Sequence, residues 1–353
     1  MSKKIAVVLG TRPEIIKMSP VIRELARQKI NHYTIHSGQH YSYGLDKVFF
    51  EQLKLPKPRY KLEVGSTSPG KQTGLIITYS ERIFQRNRPD IVLVQGDTNT
   101  VLGATIAACK TGIPVGHIEA GLRSYDKSMP EELNRILVDH SSDYLFAPTP
   151  ESRDILQGES IPRKKIFVTG NTIVDAVIQN TTHAKPGPTA GMKNYILVSL
   201  HRQENVDNPA RFARIAKSLG MVSQKFQMPV IYPIHPRSKK MAKKFGINFG
   251  QVKVIPAVDY FTFLGMQKGA SLIMTDSGGV QEEACILGIP CITLRDNTER
   301  PETISVGSNM VAGTTPEKIL RCAGTMMRNN IKWKSPFGRG DAARRIINIL
   351  QAK

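Results

Sequence analysis

The chain alternates between two spacings of apolar residues. KIAVVLG (4–10) is a continuous apolar run ending in glycine, which predicts a buried parallel strand. TRPEIIKMSPVIRELARQ follows with helical spacing. Thr11 and Glu14 have capping-box spacing, and Pro13 suits a first turn. Pro20 predicts a kink or break in that helix. HYTIHSG predicts the second strand and YKLEV a possible further one. DIVLVQGD (90–97), PVGHIEAG, DYLFAP and KIFVTGN continue the series, with the helix TVLGATIAACKTG between the first two. At 180–194 the pattern breaks in NTTHAKPGPTAGMKN, rich in Pro, Gly and Thr, which reads as a linker or surface loop. It then restarts with five strand-like runs: NYILVSLHR, PVIYPIHPR, VKVIPAV, SLIMTDSG and PCITLRD. This predicts an α/β chain of two doubly wound parallel-sheet domains, 1–180 and 181–340. The helix DAARRIINILQAK (341–353) could cap either half. The site is expected in the cleft between the two.

Composition narrows the function. The 353 residues suit two domains of ordinary size. No 18-residue apolar run predicts a membrane span, and the apolar start is too short for a signal peptide. Cys109, Cys285, Cys291 and Cys322 form no CxxC pair and sit in apolar sequence, which reads as buried free thiols in a reducing cytoplasm. The net charge of +20 invites a nucleic-acid partner. However, the basic residues are spread out, there is no zinc-finger spacing or RNA-recognition aromatic motif, and only one Trp is present. Solvated faces plus a pocket for a polyanionic small molecule explain the excess better.

Two motifs are decoys. GSTSPGKQ (65–72) resembles a phosphate-loop pattern, but Gln72 stands where a Ser or Thr hydroxyl must hold Mg²⁺. His32, His36 and His40 repeat every four residues, but on a strand and turn rather than a helix, and no HExxH is present. A GxGxxG dinucleotide seat is also missing.

In open parallel sheets ligands meet the carboxyl ends of strands. Those ends supply Arg12 and Lys17; Asp97; Glu119 and Arg123; His201, Arg202 and Glu204; His235 and Arg237; and Arg295 and Arg300. PEELNR adds Glu131 and Arg135. Plainer readings exist: Asp97 as a helix cap, Glu131 with Arg135 as a surface pair, Arg12 as a partner of Glu14. Together, three carboxylates and a histidine beside arginines predict a site that binds an anion and moves protons. TDSGGVQEE (275–283) adds a seat for the anion. Ser277 is expected to cap a helix, and Gly278 and Gly279 to let a diphosphate approach backbone amides. Glu283 then lies one turn on, placed to accept from ribose hydroxyls. The plainer reading is a solvent-facing pair of glutamates, which suits Glu282 better than Glu283.

GTRPEIIKMSPVI, SGQH, QGDTNTVLGA, HIEAGLRS, PEELNR, VTGNTIVDAV, LHRQEN, TDSGGVQEEA and LRDNTERPE, in this order, resemble the non-hydrolysing UDP-N-acetylglucosamine 2-epimerases nearly end to end. The resemblance implies the GT-B architecture, two Rossmann-like domains with the last helix returning to the first. It implies interconversion of UDP-GlcNAc and UDP-ManNAc through elimination of UDP, a 2-acetamidoglucal, and re-addition, supplying ManNAc units for polysaccharide or glycan synthesis. It implies no NAD and no metal, and a homodimer. By position, Asp97, Glu119, Glu131 and His201 match the catalytic residues. Arg12, Lys17, Phe263, Ser277, Gly278, Gly279, Glu283 and Arg300 match the nucleotide site. A GT-B glycosyltransferase and a hydrolysing 2-epimerase are the alternatives. Bacterial members often carry an allosteric substrate site with a QHxxQ stretch and an Arg-Gln pair. Here those places read QHYSY, with Gln39 kept and Tyr43 replacing the second Gln, and Lys71-Gln72. Lys cannot make arginine's two-pronged contacts. Initial rates against UDP-GlcNAc are therefore expected to be hyperbolic, and a sigmoidal curve would count against this reading.

Overall fold

The computed structural model describes residues 3–39, 43–127, 129–328 and 332–352, and the side chains of 43–47 lie outside that description. His40 and the side chain of Tyr43 are therefore outside it too. The chain divides into two compact units: unit 1 is Met1–Gln179 with Phe337–Lys353, and unit 2 is Asn180–Pro336.

Unit 1 is built on β1 (Ile5–Leu9), β2 (His32–His36), β3 (Tyr60–Lys61), β4 (Ile91–Gln95), β5 (Val115–Ile118), β6 (Tyr144–Ala147) and β7 (Ile166–Val168). They form one sheet in the order β3-β2-β1-β4-β5-β6-β7. Every pairing is parallel, with Val7 of β1 flanked by Thr34 and Leu93. Unit 2 repeats the plan with β8 (Ile196–Ser199), β9 (Val230–Ile234), β10 (Lys253–Pro256), β11 (Leu272–Thr275), β12 (Cys291–Thr293) and β13 (Asn309–Val311). Its order is β10-β9-β8-β11-β12-β13, again wholly parallel. Each unit is thus a Rossmann-like, doubly wound sheet, as in the GT-B class. Helices on both faces explain why β1 and β4 are apolar at nearly every position and buried throughout. The strand β13 escaped the sequence reading because three residues beginning with Asn make too short a run.

Pro20 does not break its helix, which runs from Arg12 to Arg27. Proline cannot donate to the carbonyl four residues earlier, Ile16. The buried Ser19 hydroxyl donates to that carbonyl instead, at 2.8 Å. The helix continues past the proline with Ile15, Met18, Val21, Ile22 and Leu25 buried. The segment 180–194 is not a free linker. Lys185 donates its amide to Phe261 O at 3.1 Å, and Gly265 sits so close to the Lys185 backbone that a Cβ there would lie 2.1 Å from its carbonyl oxygen. Glycine at 265 lets the segment lie flat on the helix Tyr260–Gly269.

The chain returns to unit 1 at Phe337, whose carbonyl accepts from Asn171 N–H at 2.8 Å. The helix Ala342–Ala352 follows, with Ile346, Ile347 and Leu350 buried. Its N-terminal amides at Ala342 and Ala343 donate to the Asp175 carboxylate at 3.2 and 3.0 Å. A distant aspartate thus supplies the cap. Three cysteines are buried, but Cys109 is exposed at the last turn of the helix Asn99–Lys110, contrary to its apolar sequence surroundings.

Ser19→Ala is expected to lower stability by about 1–2 kcal/mol, because it leaves a buried carbonyl unpaired. Pro20→Ala in the same chain restores a backbone donor, so the double variant should lose less. Urea unfolding midpoints of the two proteins test this, and equal losses would show that the Ser19 hydroxyl does not serve the Ile16 carbonyl.

Candidate active site

In each sheet the strand order reverses beside its first strand, between β1 and β4 and between β8 and β11. Connections leave in opposite directions there, so a crevice opens at the carboxyl ends. In unit 1 the turn after β1 begins the helix Arg12–Arg27. Glu14, 2% exposed, turns back and accepts from the amides of Gly10 and Thr11 at 2.5 and 3.0 Å. It also accepts from the Thr98 hydroxyl in the turn after β4. Glu14 therefore bridges the two turns of the crevice. Burial pushes its carboxyl up to about 7, against the pull of Thr98, Gly10 and Thr11, with nearby Asp97 adding to the rise.

Asp97 stands beside this bridge, its side chain 29% exposed and bonded to Arg135 Nη2 at 2.6 Å. The helix cap here is Thr98, which accepts from Val101 N–H, so Asp97 is not spent on capping. Glu119 follows β5 with φ of 72°, a left-handed conformation rare for a residue with a side chain. Its carboxylate is buried, receives Lys17 Nζ at 2.7 and 2.9 Å, and also bonds Gln95 Nε2. Lys17 is thus set on a carboxylate. Glu131 lies half-buried in the first turn of the helix Pro130–Ser141. Arg135 pairs with its neighbour Glu132 at 2.7 Å and with Asp97, rather than forming the predicted surface pair with Glu131. Arg12 lies over the Phe49 ring at 5.5 Å, while Glu14 faces inward.

In unit 2 the turn after β8 carries His201 and Arg202, and the turn after β11 carries Asp276 to Gly279. Asp276 is fully buried and joins them: it accepts from the amides of His201 and Arg202 at 3.0 and 2.9 Å and from Asn205 Nδ2 at 3.1 Å. His201 is held below its ordinary value by restricted solvation first, with Arg202 and Arg237 adding and Asp276 opposing. His235 is exposed, caps the helix Pro236–Phe245 and lies with its ring 5.4 Å from that of His201.

The helix Gly278–Leu287 begins at this crevice. Ser277 occupies its N-cap, yet its hydroxyl makes no cap bond, and its own amide donates to Thr275 Oγ1 at 3.0 Å. The amides of residues 278–280 lack intrahelical acceptors by their place in the helix, and the helix dipole adds positive potential. The two glycines differ in purpose. A Cβ at Gly278 would lie 2.6 Å from Glu299 Oε1, whereas one at Gly279 would meet nothing nearer than Ser277 Oγ at 3.9 Å. Gly278 is small for internal packing, and Gly279 leaves the approach to the amides open.

Glu282 does not face solvent. It is fully buried and pairs with Arg300 Nε at 2.8 Å. Glu283, 7% exposed, accepts from Gln267 Nε2 at 2.6 Å. Phe263, half-buried on the helix that carries Gln267, packs against the core cluster of Leu197, Met266, Ile273 and Val280. Arg202, Arg295 and Arg300 surround Glu299. Burial opposes its charge, but the three guanidiniums outweigh it and hold the carboxyl at about 2.

Arg123 departs from its predicted place as an anion-binding residue. Its guanidinium is 1% exposed and donates to Glu159 twice, to Asp139 and to the Leu122 carbonyl. It is committed inside the fold. The structure also adds residues that strand-end reasoning missed: Glu14, Asp276, Glu299 and the pair His117–Asp139. Asp276 carried a signal, sitting in TDSGG directly after a strand. Gln72 of the phosphate-loop decoy is buried and bonds Gly65 O, Gln39 O and Asn99, so it is a packing residue.

Two doubly wound units carry buried and half-buried carboxylates at one reversal point and a helix N-terminus with a carboxylate one turn on at the other, an arrangement that suits enzymes of nucleotide-linked sugars. The model of the family described as UDP-N-acetylglucosamine 2-epimerase matches residues 23–351, and the chain belongs to that family. It is 50% identical to a UDP-N-acetylglucosamine 2-epimerase of Methanococcus maripaludis, over 98% of both chains. It is 38% identical to a UDP-2,3-diacetamido-2,3-dideoxy-D-glucuronate 2-epimerase of Pseudomonas aeruginosa, over 98% of this chain and 99% of the relative. The crystal structure of the Methanocaldococcus jannaschii UDP-GlcNAc 2-epimerase in complex with UDP-GlcNAc and UDP superposes with a TM-score of 0.93 at 48% identity, over 99% and 100% of the two chains.

Glu14 sets a pH dependence. Its folded value is raised above the unfolded value of 4.5 to about 7. The fold therefore holds a proton that the unfolded chain releases, and stability falls as pH rises across that window, by roughly 3 kcal/mol at most. Glu14→Gln should flatten this part of the curve. Urea unfolding at pH 5 and pH 7.5 checks it, and parallel curves for the two proteins would remove Glu14 as the cause.

Proposed function

We propose that this chain interconverts UDP-N-acetylglucosamine and UDP-N-acetylmannosamine without hydrolysis and without NAD or metal. The carrying observation is the buried Lys17–Glu119 pair beside Asp97, set at the strand-order reversal of unit 1. The hydrogen on sugar C2 is not acidic, so simple removal and replacement is closed. Elimination of UDP avoids this: a base takes the C2 proton as the C1–O bond breaks and the electron pair leaves with the diphosphate. A 2-acetamidoglucal results. Protonation at C2 from the other face, with UDP adding back at C1, gives the epimer.

Three carboxylates suit this two-faced proton traffic. Glu119 is paired with Lys17, Asp97 is partly open to solvent beside Arg135, and Glu131 sits in a helix first turn nearby in sequence. Unit 2 supplies the leaving group's seat. The amides at the start of the helix Gly278–Leu287 suit the diphosphate, Glu283 the ribose and Phe263 the uracil. His201, next to Arg202, suits hydrogen bonding or proton donation to the departing phosphate. Arg12 in unit 1 and Arg300 in unit 2 each match a nucleotide-binding position of the family in this reading. The chain's relatives named as UDP-GlcNAc 2-epimerases support the substrate.

An NMR time course of UDP-GlcNAc in D₂O, with no NAD or metal added, tests the reading. UDP-ManNAc bearing deuterium at C2 is expected. Free ManNAc with UDP would indicate the hydrolysing reaction instead, and UDP binding with no change at C2 would favour a glycosyltransferase. Asp97→Asn, Glu119→Gln, Glu131→Gln and His201→Asn should each lower kcat by about 100-fold or more.

A further inference from the structure

We propose that His117 is a buried imidazolium that positions Asp97, a positioning role that rests on the reading of Asp97 as a proton-transfer group. His117 lies on β5 and is 1% exposed. Its Nδ1 is 2.6 Å from Asp139 Oδ1 and its Nε2 is 2.8 Å from the Gly96 carbonyl oxygen. A carbonyl can only accept. Asp139 accepts as the ionised carboxylate, which its second oxygen favours by receiving Arg123 Nη1 at 2.8 Å and the Gly121 amide at 3.1 Å. A neutral ring would press one nitrogen lone pair against an oxygen lone pair at one of these two contacts. With Asp139 ionised, both bonds form only when both ring nitrogens carry protons.

The charges on the Asp139 side balance. His117 and Arg123 face Asp139 and Glu159 on one side. Beyond Gly96, Asp97 and Glu132 share Arg135, Glu119 pairs with Lys17, and Glu14 bonds Thr98. The Gly96 peptide is gripped at both ends, its N–H on Ile118 O at 3.1 Å and its oxygen on His117, with φ of 85°. Asn134 Nδ2 holds the next carbonyl, Asp97 O, at 2.9 Å. His117 therefore fixes the turn that aims the Asp97 carboxylate, without touching the reacting atoms.

The test is a ¹⁵N NMR measurement on ¹⁵N-histidine-labelled protein at the pH of the activity assay, with His117 assigned by the signal lost in His117→Gln. Both ring nitrogens are expected at protonated shifts. A signature with one bare nitrogen overturns the proposal, whatever the variants do. His117→Gln and His117→Phe, shown to be folded by circular dichroism and UDP binding, should lose kcat and C2 exchange by about 100-fold. KM should stay within about twofold. Gln, which can still donate to Gly96 O, should retain more activity than Phe. Unchanged kcat in folded His117→Phe also overturns it. Wild-type protein that exchanges nothing at C2 would sink the proposed reaction instead, while the ¹⁵N signature still decides the charge.

Discussion

Reversal of strand order is the constraint on which the rest of this molecule depends. In a parallel sheet every strand delivers its carboxyl end to the same edge, and most connections cover that edge. Where the order reverses, beside β1 and again beside β8, the chain leaves in opposite directions and a crevice is left open. The groups that converge on these crevices come from distant parts of the sequence: Glu14 with Thr98 in unit 1, and His201 with Asp276 in unit 2. Each contact ties one turn of a reversal point to the other, so the sheet's topology sets the spacing of the chemistry.

The second feature is how the units handle charge. The chain carries a net +20, yet its buried arginines are paired. Arg123 meets Asp139 and Glu159, Arg135 meets Asp97 and Glu132, and Arg295 meets Glu204 and Glu299. Removing one partner of such a pair costs several kcal/mol, because the remaining charge stays buried. These arginines are framework. In unit 2 the helix N-terminus at Gly278 offers positive potential from fixed backbone dipoles, which need no counter-charge and leave the carboxylates of Glu282 and Glu283 pointed elsewhere, at Arg300 and Gln267.

Backbone conformation adds to both. Glu119 keeps a left-handed φ of 72° although it is not glycine, and its carboxylate is fixed by Lys17 and Gln95. Such a conformation costs about 1–3 kcal/mol and persists only where surrounding contacts determine it. The contacts here come from the helix after β1 and from the end of β4, two neighbours of β5 that pack whether or not Glu119 is strained. Rigid strands thus hold a carboxylate in a geometry that a flexible loop would abandon.

The sequence by itself determined the alternating α/β plan, the two sheets and the strand ends that carry Asp97, Glu119, His201 and the SGG turn. Apolar runs and their spacing record burial directly, and strand ends are where a parallel sheet must place its polar residues. Tertiary structure alone decided which charged residues meet. That Arg123 is locked inside, that Glu282 is buried on Arg300, that Ser19 rescues the helix at Pro20 and that His117 lies between Asp139 and Gly96 depend on contacts between elements far apart in the chain. Local spacing carries no information about such partners, because a buried ion pair and a solvated charge look alike in one dimension and differ only in what folding brings beside them.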